Sequence, residues 1–310
     1  MRTALLPLCL LLAACDDHGP GLPQPLPNGW SIGTPLPERL QELHGATLNG
    51  RIYVAGGFDS SNTASSRVYS FAEGQGWRAE TPLPEARHHM PLAVVGDTLY
   101  AIGGYAAGSF NGTATLWAWW AAGNAWVPRA ILPQPRGAHI AAVINGKILL
   151  AGGLELPTTP AESTDIYDAA TGVWSRHEPI PTPRDHLGGG AINGRLYTAA
   201  GRLATILNTT EAYDPAADSW IPRAPMFAPR GGVGSAVLNG RLHVLGGEED
   251  SSFATHYAYD PAGNAWQVMA PMPTARHGLA VAVLNGRLYT IGGGPVPGFS
   301  QTARVEIFQP

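Results

Sequence analysis

The sequence predicts an all-β fold built from six copies of one antiparallel four-stranded unit, and three observations carry that prediction. A glycine pair ends a strand-like apolar run at Gly56-Gly57, Gly103-Gly104, Gly152-Gly153, Gly246-Gly247 and Gly292-Gly293, with Ala200-Gly201 filling the one gap. Successive copies start 47, 49, 48, 46 and 46 residues apart, a period that marks a stacked or radial repeat. Glycine (39) and proline (28) are abundant while charged residues make up only 14%, which suits short strands and tight turns and gives little support to helices.

Each copy opens on an apolar run such as GLAVAVL at 278–284, continuous enough for a strand buried on both faces. Asn285-Gly286 ends it, because this dipeptide accepts the left-handed dihedrals of a tight hairpin. The same dipeptide stands at Asn49-Gly50, Asn145-Gly146, Asn193-Gly194 and Asn239-Gly240, seven residues before the glycine pair or its substitute; the second copy has Gly96-Asp97. The second strand, RLYTIGG at 287–293, runs into the glycine pair. A loop of variable length leads to a third strand closing in Tyr-Asp-Pro, as at Tyr213-Asp214-Pro215 and Tyr259-Asp260-Pro261, where proline stops pairing. The fourth strand carries a tryptophan. Trp77, Trp126, Trp174, Trp220 and Trp266 each lie 26 residues before the next glycine pair or its substitute.

Diglycine, tyrosine and tryptophan in fixed register resemble the kelch repeat over roughly residues 30–310. The resemblance implies a six-bladed kelch β-propeller with four antiparallel strands per blade. Local departures are Ala200 for the first glycine, Trp119 for the tyrosine, and Phe308-Gln309-Pro310 for Tyr-Asp-Pro. The sixth copy stops at Pro310 after three strands, whereas Trp30 lies 26 residues before Gly56. The segment around Trp30 is therefore expected to supply the missing strand and close the ring, leaving no open sheet edge.

Residues 1–14 read as a signal peptide, with Arg2 at the start, an apolar run at 5–12 and small residues at Ala13-Ala14. Leu12-Ala13-Ala14-Cys15 resembles the bacterial lipobox, which implies lipidation of Cys15 and a protein held at the cell envelope, in the periplasm or on the cell surface. An ordinary secretory signal with an incidental cysteine is the other reading. Residues 15–29, rich in Pro and Gly, read as a tether, and 30–310 as the propeller. Cys9 and Cys15 are the only cysteines, so the body beyond them holds no internal disulfide and no thiolate metal site. No run reaches the ~18 apolar residues that span a bilayer, so the lipid is the expected membrane contact. A formal charge of −4 gives no bulk attraction to nucleic acid.

In an antiparallel blade the loop entering strand one and the loop between strands two and three share a rim, and their variability makes that rim the candidate binding face. Sixteen residues before each glycine pair or its substitute stands an arginine: Arg87, Arg136, Arg184, Arg230 and Arg276, with Leu40 in the first copy and Arg39 beside it. With strand one innermost, these arginines would ring the channel mouth and concentrate anions. The alternative is that each bonds loop carbonyls or acids and holds blades together. His88, His89, His139, His186 and His277 follow them, with Asp185 between Arg184 and His186. Convergence of these histidines would make a metal site or a general base. Their offsets differ, however, and alternate strand positions face opposite ways, so loop hydrogen bonding is expected, with no metal and no cofactor. The candidate ligand-binding set is therefore the five arginines with His89, His139, His186 and His277. Glu248-Glu249-Asp250 reads as a solvated loop.

The glycine pairs read as structural, because a phosphate-cradling loop would lead into a helix and here a strand follows. No HExxH, GxSxG or P-loop motif is present. Resemblance to galactose oxidase, a copper enzyme with kelch blades, implies a cysteine cross-linked to tyrosine, which a body without cysteine cannot make. The function these features favour is a lipid-anchored, monomeric binding module for an acidic or glycan-type ligand, whether protein segment, glycan or small anion. The alternative is a sugar-acid mutarotase similar to N-acetylneuraminate epimerase, an isomerase in which the arginines hold the carboxylate and a rim histidine or acid moves protons.

Overall fold

The computed structural model describes residues 29–310 and the short strand Gln24–Pro25. The signal peptide read at 1–14, the lipidation read at Cys15 and most of the tether read at 15–29 lie outside the described residues. Six antiparallel sheets stand around one axis, and no α-helix occurs among the described residues. The first blade is His44–Leu48, Arg51–Ala55, Val68–Ala72 and Gly76–Ala79 in that order. Four more blades repeat this order, with first strands Leu92–Val95, Ile140–Ile144, Gly188–Ile192 and Gly231–Leu238. The sixth pairs Ala280–Leu284, Arg287–Ile291 and Val305–Phe308, then takes its fourth strand from Trp30–Ile32. Trp30 lies opposite Phe308 and Ile32 opposite Glu306, so the ring closes through the N-terminal strand. Gln24 and Pro25 pair in turn with Ile32 and Ser31, so part of the stretch read as a free tether is a fifth, outer strand.

The first strands pack against one another around the axis and are innermost. The second and third strands are sandwiched between neighbouring sheets and read as near-continuous apolar runs, such as VYSFA at Val68–Ala72, buried throughout. Apolar side chains therefore collect between blades. Ile52, Val54 and Phe71 of the first blade meet Ala280, Tyr289 and Ile307 of the sixth in one such cluster, and five similar clusters fill the other junctions.

Polar bonds cross the same junctions in three closed sets of six. Each fourth-strand tryptophan indole donates to a carbonyl of the preceding blade: Trp77 to Thr34, Trp126 to Thr81, Trp174 to Ala130, Trp220 to Glu178, Trp266 to Ala224, and Trp30 to Ala270 across the closure, all at 2.9–3.1 Å. The N–H of each second glycine donates to the residue at the repeat-arginine position of the next blade, from Gly57 to Arg87 O (2.8 Å) round to Gly293 and Leu40 O (2.8 Å). This contact explains the glycines. A Cβ on Gly292 would stand 2.7 Å from Leu40 O, and one on Gly293 would stand 2.8 Å from the Leu279 Cβ. Ala200 takes the same left-handed conformation with φ 60°.

The third set encircles the axis. Glu42 N donates to Gly278 O, His89 to Glu42, Ala138 to His89, His186 to Ala138, Gly232 to His186, and Gly278 to Gly232, at 2.7–3.0 Å. All six residues have φ between 51° and 66°. They occupy one repeat position, two residues after the arginine, and they form a rigid backbone collar at the top of the channel.

Candidate functional site

The repeat arginines do not line the mouth. Arg136, Arg184 and Arg276 are fully buried and Arg230 is 2% exposed, because each guanidinium runs outward into its own blade. Arg276 donates to Gly292 O (2.7 Å), Thr290 Oγ1 (2.7 Å) and Glu306 Oε2 (2.8 Å). Arg184 makes the same pattern with Ala200 O, Thr198 Oγ1 and Glu211, and Arg136 with Gly152 O, Ser163 and Asp165. Burial lowers the Arg136 pKa to about 10, with Asp165 opposing the shift. Where the third strand offers an aromatic instead of an acid, the cation lies over its ring: Arg230 over Tyr257 at 4.7 Å and Arg87 over Trp117 at 5.0 Å. The expected ring of anion-binding arginines is therefore corrected, since these five cations are consumed in holding sheets together.

The histidines do converge, contrary to the expectation from strand alternation. Alternation fails because the collar residue is left-handed, so the residues on either side of it also reach the axis. His89 and His186 stand on the collar with ring centroids 4.7 Å apart, beside Glu42. His89 Nε2 lies 3.1 Å from Glu42 Oε2, and its Nδ1 is 2.6 Å from His88 Nδ1. Arg202 Nη2 donates to His186 Nε2 at 2.9 Å, while Nη1 donates to Glu248 Oε1 at 3.2 Å. Asp185 Oδ2 is 3.2 Å from His186 Nδ1, without the alignment of a hydrogen bond. His277 Nε2 sits 3.4 Å from Glu248 Oε2 and 3.8 Å from Glu42 Oε1. Burial, then the neighbouring His186 and His88, hold His89 well below the usual imidazole range, and burial takes His88 down to about 4.

His139 belongs to the layer below the collar. It is 1% exposed, and neither ring nitrogen has a hydrogen-bond partner. A cavity of about 20 Å³ there is lined by His44 and His139 together with Glu42, His89 and His186. Above the collar a wider cavity of about 160 Å³ opens to the rim. Its floor is Glu42, His89, His186, Arg202, Glu248 and His277, and its walls are Phe58, Phe110 and Phe299. Phe110 is 47% and Phe299 54% exposed, whereas Phe58 is buried against His88. Among the described residues around this floor stand three carboxylates, Glu42, Asp185 and Glu248, and one guanidinium, that of Arg202, which pairs with Asp185 and Glu248, so the mouth leans negative where the sequence led to the expectation of positive charge. Glu248 also accepts from Gly298 N–H (3.2 Å) and is buried, so the solvated loop read at Glu248-Glu249-Asp250 is corrected at its first residue, while Glu249 and Asp250 are exposed.

The floor lies on the rim formed by the loops before strand one and between strands two and three, with Glu248 at the end of the second strand Arg241–Glu248. Glu42, Arg202, Glu248 and the three phenylalanines are not among the residues the sequence singles out for binding. Glu42 was findable: it stands two residues after Leu40, the same offset that separates His89 from Arg87 and His186 from Arg184. Arg202 and the phenylalanines lie in loops of unequal length and have no fixed offset.

A family profile described as the KLHDC2/KLHL20/DRC7 Kelch-repeats domain matches residues 131–293, and one described as the Kelch motif matches residues 44–71. An F-box/kelch-repeat protein of Arabidopsis thaliana is 32% identical over 79 residues, 26% of this chain and 21% of that protein. Kelch-like ECH-associated protein 1A of Danio rerio is 35% identical over 85 residues, 26% of this chain and 14% of that protein. The matched stretch thus spans about a fifth or less of these curated relatives. The solved structure of YjhT superposes with a TM-score of 0.75 over 87% of this chain and 95% of that one, at 16% identity, which is a likeness of fold.

Proposed function

Because the chain belongs to the kelch-repeat family, we propose that it is a binding module whose ligand, of glycan type, sits in the axial cavity on the loop rim. One observation carries this reading: two exposed phenylalanines, Phe110 and Phe299, stand over a floor of buried carboxylates, imidazoles and one guanidinium. The apolar face of a sugar ring stacks on aromatic walls while its hydroxyls exchange hydrogen bonds with such a floor. An acidic protein segment or a small anion suits the mouth less well, since its carboxylates outnumber its cations. The mutarotase reading meets the same difficulty, because a bound sugar carboxylate needs an unpaired cation and Arg202 is engaged by Glu248 and His186. The lipobox-like Leu12-Ala13-Ala14-Cys15 supports an exported, lipid-anchored protein of the bacterial envelope, and we take it as a monomer that binds no nucleic acid.

The test is a glycan array probed with the purified chain, followed by titration of any retained glycan against the F110A/F299A double variant. Retention of a defined glycan set with at least tenfold weaker binding in the double variant is expected. No retention, or affinity unchanged by loss of both rings, overturns the reading. Fatty-acid labelling that survives Cys15→Ser would separately remove the anchor.

A further inference from the structure

The six collar positions fall into two classes. Three carry metal-capable side chains, Glu42, His89 and His186, and three carry little or nothing, Ala138, Gly232 and Gly278. Gly278 makes room for a large neighbour: a Cβ there would run into the Glu42 carboxylate. The ligand atoms of Glu42, His89 and His186 all lie within 4.8 Å of one another. Donors bound at ~2.0–2.2 Å around a tetrahedral ion stand about 3.4 Å apart, so modest side-chain rotation brings this set together. We propose that Glu42, His89 and His186 form a site for one divalent transition-metal ion of the zinc class on the propeller axis.

Donor chemistry selects the ion. Two imidazoles and one carboxylate suit zinc and its first-row neighbours, whereas magnesium and calcium take oxygen donors almost alone. Rigidity favours the site, because the donors hang from a backbone ring whose six hydrogen bonds fix their Cα positions before any ion arrives. Charge favours it as well, since three carboxylates around one guanidinium leave the floor short of positive charge. A second observation comes from His139, whose two buried, unpartnered nitrogens share the lower cavity with the same three residues. That cavity, about 20 Å³, suits a water or a single ion and nothing larger.

Arg202 is the competitor. Its Nη2 holds His186 Nε2, so an ion bound through that nitrogen enters when this side chain, 35% exposed, swings toward solvent. The site stands whether or not a glycan binds above it, and glycan titration without metal separates the two.

The test uses the metal-free folded chain, titrated with Zn²⁺ by calorimetry and in competition with a chromophoric chelator, with metal content checked by elemental analysis. One equivalent per chain is expected, weakened at least tenfold in Glu42→Gln and His186→Ala and tightened in Arg202→Gln. Glu42→Gln preserves side-chain size and collar backbone, so it decides the matter if His186→Ala fails to fold. His177→Ala, at the exposed His177–Asp218 pair, should leave binding unchanged. Absence of stoichiometric binding, or affinity indifferent to Glu42→Gln, or loss of binding in His177→Ala, overturns the proposal.

Discussion

His139→Leu should stabilise the metal-free protein. The site sits three residues after the repeat arginine, where the other blades carry Leu43, Met90, Leu187, Val233 and Leu279, all packed against the second glycine of their own pair or partly exposed beside the channel. Leucine is therefore the residue this position is shaped for in three of six blades. A buried polar group left without a partner costs about 1–3 kcal/mol, and the substitution removes two such nitrogens while keeping an apolar side chain of similar size. Spread over about 280 ordered residues at ~2.1 cal/mol/K each, that gain raises the melting midpoint by about 2–5 °C at neutral pH. The effect should also grow in acid. Burial, then Arg136, holds the His139 pKa well below its ordinary value. Its native form is therefore neutral, and the stability it permits is complete above the unfolded value near 6.5. As pH falls below that value the unfolded chain takes up a proton the native state refuses, which costs up to about 1.4 kcal/mol per pH unit, roughly 2 kcal/mol by pH 5. Melting curves of wild type and His139→Leu between pH 7.5 and 5 should therefore diverge as the pH drops. A variant that melts lower than wild type, or a gap that narrows in acid, would show that the imidazole is bonded in solution and that this reasoning is wrong.

Three further substitutions probe the frame. Trp30→Ala removes a side chain 2% exposed and its bond to Ala270 O at the ring closure, so a loss of about 3–5 kcal/mol, or 5–8 °C, is expected by calorimetry; an unchanged midpoint would refute closure through this strand. Glu306→Gln leaves Arg276 charged and buried without its counter-ion and should cost about 3–5 kcal/mol in urea unfolding, while Glu38→Gln, at the exposed Arg67, should cost under about 1 kcal/mol. Equal losses at the two positions would contradict the burial argument.

The frame was legible because its causes are periodic. Each glycine pair, tryptophan and Asn-Gly turn answers the same steric or hydrogen-bonding demand in every blade, so six copies expose the demand even without coordinates. The arginines illustrate the limit of such reading. Their spacing fixes one position in every repeat, but spacing does not say which way a long side chain turns. That direction is set by Asp165, Glu211 and Glu306, one fixed place on the third strand, and by Tyr257 and Trp117 at the same place in other blades. At that one position each of the five cations meets an acid or an aromatic.

The axial floor was hidden for a different reason. Strand alternation predicts that His88 and His89 diverge, and that holds only while the backbone is extended. At the collar the chain turns left-handed once per blade, a conformation that Glu42, His89 and His186 hold as well as Ala138, Gly232 and Gly278. The collar backbone bonds are made whatever the side chain, so these six positions are released from the demands that fix the rest of the repeat. A ring of this kind separates stability from recognition: the bonds that close it are backbone bonds, and the groups it presents to the axis can differ from blade to blade without disturbing them. The least regular residues of the repeat are for that reason the ones gathered at a single point, and the asymmetric set Glu42, His89 and His186 is what a sixfold frame displays there.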